Sequence, residues 1–226
     1  MKQGHLLLVF IFVYFSCFLS LHYEQKNYDD VMEEKQRIEH ALLEAAEYTA
    51  YRYRGVIKDS EEQKKKRIEE AFSEAFYFIT GKTPSMEPEG FWRIYIPMII
   101  LVEEDGAYFY YLKENTGIGN QRLVHEWTDK YLFDISETHT NDEKRAIMAN
   151  VLEDRASQII TNHNFIAKQY GISFSYSLPA FFQDITQSPE FPMIFVVFQG
   201  WPLNPSGTIF YENCVDAGVF LREKTE

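Results

Sequence analysis

Leu6 to Leu21 reads LLLVFIFVYFSCFLSL, sixteen residues without a charge, and this run decides how the rest of the chain is laid out. With Gly4, His5, His22 and Tyr23 it reaches the roughly 20 residues a helix needs to cross ~30 Å of hydrocarbon. A cleavable signal peptide is the competing reading, but its small-x-small site is missing: bulky residues flank Ser16 and Ser20, and no Ala-x-Ala-like triplet follows. Tyr14-Phe15-Ser16 also lacks the leucine expected before a lipidated Cys17. Residues 1–23 are therefore expected to be an uncleaved transmembrane anchor, meeting the membrane through residues 5–22. Lys and Arg nearly tie across the run. A four-residue leading tail is no domain, so the bulk of the chain is expected to cross and fold outside the cytoplasm.

Beyond the run the period is helical. From Tyr28 to Ile57 the stripe Val31, Ile38, Leu42, Ala45, Thr49, Tyr53 and Val56 steps by sevens, fours and threes, close to a heptad seam. Ala41, Ala45, Ala46 and Ala50 give this helix a small-residue face that another helix could approach closely. Ser60 with Gln63 matches a capping box. It opens a second helix with Ile68, Ala71, Phe72, Ala75, Phe76 and Ile79 buried, ending at Gly81. Its basic run Lys64-Lys65-Lys66-Arg67, alternating with glutamates, reads as a solvated face.

Thr83 to Gly90, with two prolines, reads as a linker. Phe91 to Val102 and Ala107 to Leu112 read as strands joined at the turn signal Asp105-Gly106. A capping box at Thr140-Asn141-Asp142-Glu143 starts a third helix, about Asp142 to Tyr170, with Ile147, Val151, Ile159 and Ile166 on its buried side. Three further strand regions follow: Ile172–Leu178, Pro192–Gln199, and a last pair, Thr208–Tyr211 with Val215–Leu221. The expected fold is α+β: a transmembrane helix and long amphipathic helices, then a mostly antiparallel sheet with one further long helix. The expected division is anchor 1–23, helical stalk or hairpin 24–81, and an α+β extracytoplasmic domain 90–226.

Composition narrows the function. Aromatics make up 16% of the chain, enough for a packed core. With 34 acidic against 22 basic residues the net charge is −12, which repels phosphates and argues against nucleic acid as a partner. The two cysteines, Cys17 and Cys214, fall in different solvents, so neither a disulfide framework nor a Cys-based zinc site is expected. His125-Glu126 begins like a zincin motif, but Asp129 stands where the second histidine would be. His139 belongs to a helix start and His163 to a helix end, where a structural role suffices. There is no G-x-S-x-G elbow, and Gly117 and Gly119 lack the Lys-Ser/Thr of a phosphate loop. Glu103, Glu104 and Asp105 read as turn chemistry. No catalytic, cofactor-binding or metal-ligating residue is expected. The candidate contact residues are the four alanines together with Tyr108, Tyr110 and Trp201, from the runs Tyr108–Tyr111 and Phe198–Leu203. Aromatics of this kind anchor protein interfaces.

A hydrophobic N-terminal segment running straight into an alanine-striped helix and then an antiparallel sheet resembles the pilin and pseudopilin layout, the Tad-type pseudopilins above all. The resemblance covers roughly Gly4 to Val56. It departs at the processing motif: counted from Gly4, the fifth residue is Val9 where pilins carry glutamate. It implies a non-catalytic, membrane-anchored component of a surface or secretion assembly, with membrane or envelope proteins, further copies of itself included, as partners. The alternatives are an extracytoplasmic ligand-binding or sensory domain and a membrane-anchored hydrolase. A sensor would need a second span and an output domain, which these residues do not carry, so it would act through a partner.

Overall fold

The computed structural model describes residues 2–80, 95–115, 122–171, 174–178, 192–204 and 206–218, with side chains described except at 2–9, 78–80, 115, 122–123 and 213–218. It is α+β. Helix α1 (Lys2–Arg54) is followed by α2 (Glu61–Thr80), strands β1 (Met98–Val102), β2 (Gly106–Asn115), β3 (Arg122–Trp127) and β4 (Tyr131–Leu132), helix α3 (Asn141–Gln169), and strands β5 (Met193–Pro202) and β6 (Phe210–Gly218). The strands form one sheet in the order β3-β2-β1-β5-β6, with β4 also paired to β2, and every pairing is antiparallel.

The sheet lies between helices. Ile99 and Leu101 of β1, and Ile194, Val196 and Phe198 of β5, pack with α1 and α2. Their alternate neighbours Met98, Ile100, Val102, Phe195 and Val197 pack with α3. Both faces of these central strands are covered, which is why they read as continuous apolar runs rather than alternating ones. All seven members of the α1 stripe, Val31 to Val56, are buried. Ile38 and Leu42 are wholly so, each worth ~1.5–3 kcal/mol. Thr49 fits this stripe because its hydroxyl donates to the Ala45 carbonyl at 2.6 Å.

The two capped helices start where the sequence places them. Ser60 and Gln63 exchange hydrogen bonds, and Thr140 and Glu143 form a complete capping box. The buried side of α3 differs from expectation. It is Met148, Leu152, Ala156, Ile160, His163, Ile166 and Ala167, so that Ile147, Val151 and Ile159 lie on its flank. The true stripe contains an alanine and a histidine, and the stronger hydrophobes one position earlier outweigh it in any reading by periodicity.

Two strand expectations are also corrected. Thr208–Tyr211 and Val215–Leu221 are not a pair: β6 runs unbroken from Phe210 to Gly218 and lies along β5. Nor does Phe174–Leu178 join the ladder. It has no regular secondary structure and is held by two side-chain amides. Asn164 of α3 accepts from the Tyr176 amide and donates to its carbonyl, while Gln199 of β5 does the same at Ser177. The β1 expectation from Phe91 is met from Met98 onward; residues 81–94, with the expected linker, lie outside the described ones.

Two glycines have positional reasons. Gly200, at φ +82°, forms the bulge between Gln199 and Trp201. The extra residue resets the alternation, so Trp201 faces α1 beside Phe198, with ring centroids 6.0 Å apart. Gly106 closes the β1–β2 hairpin without a positive φ. Its need is space, because a Cβ there would sit 2.5 Å from the Tyr131 carbonyl oxygen. Gly106→Ala is expected to cost ~1–3 kcal/mol by overpacking. Gly55→Ala, whose Cβ would meet only the Arg52 carbonyl at 3.5 Å, should change little. Thermal or urea denaturation of the two variants side by side checks this.

Candidate functional site

Helix α1 is one unbroken element that passes through two environments. From Val31 onward it is seated on the sheet and α2. Between Phe10 and Asp30 every residue is exposed except a half-buried Asn27. Nine large side chains, Phe10, Ile11, Phe12, Val13, Tyr14, Phe15, Phe18, Leu19 and Leu21, are exposed, from 52% at Leu19 to 76% at Phe12. They point all round the helix. Removing them from water is worth on the order of 10–20 kcal/mol at roughly 25 cal/mol per Å2, against a whole-domain net stability of ~5–15 kcal/mol. Among the described residues no helix is long and apolar enough to cross a membrane. Of the apolar run, the backbone is described throughout and the side chains from Phe10.

The residues expected to form a contact surface are placed elsewhere. Ala41, Ala45, Ala46 and Ala50 are buried, and so are Tyr108, Tyr110 and Trp201. Three of the alanines, both tyrosines and the tryptophan share one core with α2 and the sheet. The small face of α1 thus accommodates its own chain, and in this conformation it offers a partner nothing. Tyr110 stacks on His125 at 4.9 Å and tilts against Trp127 at 5.1 Å. Trp201 donates from its indole nitrogen to Glu34 of α1 at 3.2 Å.

The three histidines are not brought together. His125 sits on β3 with Nε2 3.4 Å from the Ile96 carbonyl oxygen. His139 Nδ1 accepts the Ser136 amide in the turn before α3. His163 is buried edge-on to Tyr176 at 4.4 Å. Among the described residues no group of three His, Cys, Asp or Glu side chains could hold a metal ion.

The hairpin tip holds more than turn chemistry. Glu103 Oε1 accepts from the Tyr53 hydroxyl at 2.8 Å and from Lys64 Nζ at 2.9 Å, while Oε2 accepts from Lys130 Nζ at 2.6 Å. Lys130 also reaches Asp105 at 2.6 Å. Four segments meet on one carboxylate: the end of α1, the start of α2, the β1–β2 turn and the β3–β4 connection. The glutamate and Lys64 side chains are each only 15% exposed. Lys65 completes the junction by donating to the Thr128 carbonyl at 2.8 Å and lying 4.6 Å over the Tyr108 ring. The basic run of α2 is therefore split: Lys64 and Lys65 turn inward, and Lys66 pairs with Glu70 on the surface.

Burial alone would raise the Glu103 pKa, but hydrogen bonds from Lys130, Lys64 and Tyr53 outweigh it and hold the carboxyl below its ordinary value. Burial, and then the Glu103 charge, push the Tyr53 phenol up. The junction thus keeps one carboxylate ionised and its phenol neutral, which suits a structural clasp and gives no group poised for proton transfer near neutral pH. Nothing in the sequence pattern marked it, because its members lie up to 77 residues apart in a chain read by local period.

No protein-family model, no curated protein and no solved structure matches this chain.

Glu103→Gln keeps the shape and leaves Lys64 and Lys130 without their shared anion. It is expected to lower stability by ~2–3 kcal/mol, the low end for breaking a buried pair because the junction is partly exposed. A carboxyl with a lowered folded-state pKa contributes stability above its unfolded value and loses it as pH falls through the folded one. Melting temperature against pH should fall on the acid side for the native chain, with a shallower acid limb in Glu103→Gln. Parallel acid limbs would show that the clasp does not act through charge.

Proposed function

We propose that this chain is a non-catalytic, membrane-anchored component of a surface or secretion assembly, with α1 as both anchor and contact element. The observation that carries this reading is the uncovered apolar half of α1, continuous with a half built into the core. With Gly4 to Val9 added to the exposed run, the apolar segment has the length of a membrane span. Tyr23 and Tyr28 are exposed just beyond it, where aromatic side chains suit the headgroup level. Val31 lies ten helical steps beyond Leu21, ~15 Å along the axis, so the folded body can stand clear of the bilayer.

The layout supports the same reading. A long helix with a free apolar half and a second half laid on an antiparallel sheet resembles the pilin and pseudopilin arrangement. The small-residue face that would have offered helix–helix contact is occupied internally. Contact between copies, or with a partner, then falls to the apolar segment and to the outer face of α1, where Leu43 and Tyr51 are exposed. The acidic body, at net charge −12, disfavours a second attachment to anionic lipid.

Two measurements separate anchoring from assembly. The full chain should sediment with membranes and resist high-pH extraction, and Val13→Arg, at ~2.5–3.5 kcal/mol for a mid-span charge, should shift a measurable fraction to the soluble phase. Recovery of the unmodified chain in the soluble fraction would sink the anchor. Short-range cross-linking in intact cells should give a ladder at multiples of the monomer mass or one discrete adduct with another membrane protein. A lone monomer band, with Lys66 demonstrably modified, would sink the assembly.

A further inference from the structure

On the other side of the sheet from α1, a cleft of about 250 Å3 opens between α3 and the strands β2 and β4. Tyr111 and Tyr131 line it from the sheet; Arg155, Gln158 and Asn162 line it from α3. The three helix residues step by three and four, so they share one face of α3. Aromatic surfaces with a few convergent polar groups are the usual composition of a small-molecule site, at a volume just under the ~300–1,000 Å3 common for larger ligands.

The cation in this cleft is set in place before any ligand arrives. The Arg155 guanidinium lies 4.4 Å over the Tyr131 ring, and that ring is held by an edge contact with buried Phe109 at 5.7 Å. Such stacking fixes the plane of the guanidinium. One nitrogen donates to Gln158 Oε1 at 3.1 Å, which leaves most of its five N–H donors unused. The adjacent Asp154 is engaged by the Gln158 amide at 3.0 Å instead. Among the described residues no carboxylate pairs with Arg155. That is notable in a chain with 34 acidic and 22 basic residues, whose inward-turned Lys64 and Lys130 both have carboxylate partners. The Asn162 side chain, also on the cleft, makes no hydrogen bond to a described residue.

We infer that this cleft binds a small ring-bearing monocarboxylate, whose carboxylate is received by Arg155 and Asn162 while its ring lies against Tyr111. A planar guanidinium with parallel free donors matches a carboxylate bidentately, and Tyr111 can accept the flat face of a ring. The site is independent of the membrane reading, since it lies on the α3 face and needs no second copy.

The test uses the full chain in detergent, titrated by calorimetry with benzoate and with its uncharged isostere benzamide, and melted in the presence of each. Benzoate should bind saturably and raise the melting temperature, with benzamide at least tenfold weaker. Arg155→Gln should weaken benzoate at least tenfold. Asn162→Asp, at an exposed position that leaves packing untouched, should do the same by placing a like charge in the cleft. Absence of saturable benzoate binding, equal binding of benzamide, or full binding by Asn162→Asp would each overturn the proposal. A lower melting temperature in Arg155→Gln with no benzoate binding by the native chain would assign Arg155 as a strut between α3 and Tyr131 and nothing more.

Discussion

One unbroken helix is buried along its second half and exposed along its first, and most of the molecule follows from that constraint. Helix α1 runs from Lys2 to Arg54 without a break, and no proline or glycine after Gly4 offers it a place to bend. Its second half is committed to the core by the buried stripe from Val31 to Val56. The direction of the first half is then fixed by the fold, and the apolar residues from Phe10 to Leu21 are held away from the body rather than folded back on it. A flexible joint would have allowed that segment to collapse onto the sheet. The continuous helix forbids it, and among the described residues none covers the segment.

The Glu103 junction closes the opposite end of the same helix. Tyr53 is the last buried tyrosine of α1, and its hydroxyl shares the carboxylate with Lys64 at the start of α2 and Lys130 between β3 and β4. Burial works against an ionised carboxylate, and it is tolerated because three donors satisfy it at once. The arrangement also fixes direction. An apolar contact among these four segments could slide, whereas a carboxylate with three donors at 2.6–2.9 Å accepts one geometry. The charge therefore acts on specificity, setting where α1 stops and α2 begins, while the bulk of the stabilisation lies in the apolar layers on either side of the sheet.

Elements encoded by local signals are legible in the chain, and contacts between distant residues are not. The capping boxes at Ser60 and Thr140, the α1 stripe and the β1–β2 hairpin could be read because each is encoded within a few residues. The side of the sheet that α3 would cover could not, since Ala156 and His163 are weak marks of a buried face and Ile147, Val151 and Ile159 were stronger ones nearby. Ile172–Leu178 reads as a strand because its residues suit extended chain, and its described part, Phe174–Leu178, joins no strand. What period could not show is that Asn164 and Gln199 would supply its hydrogen bonds in place of a neighbouring strand. The alanines of α1 read as a face that another helix can approach, and in this fold they are buried within the chain's own core: a small face records that something approaches, without recording whether it belongs to the same chain.

That distinction also separates the two functional proposals. The sheet divides the molecule, with α1 and α2 on one face and α3 on the other. Contact made through the bare half or outer side of α1 leaves the α3 face free. The proposed carboxylate cleft sits on that free face, beside Arg155 and Tyr131. The two cations that turn toward the hairpin are neutralised within the fold, whereas the one on α3 is stacked, oriented and, among the described residues, without a carboxylate partner. In a chain this acidic, a carboxylate could readily have been placed beside Arg155, and the neighbouring Asp154 is bonded to Gln158 instead. Charge is thus internally satisfied where four segments must be locked together and left open where α3 faces solvent, the division expected of a body fixed on one face and available on the other.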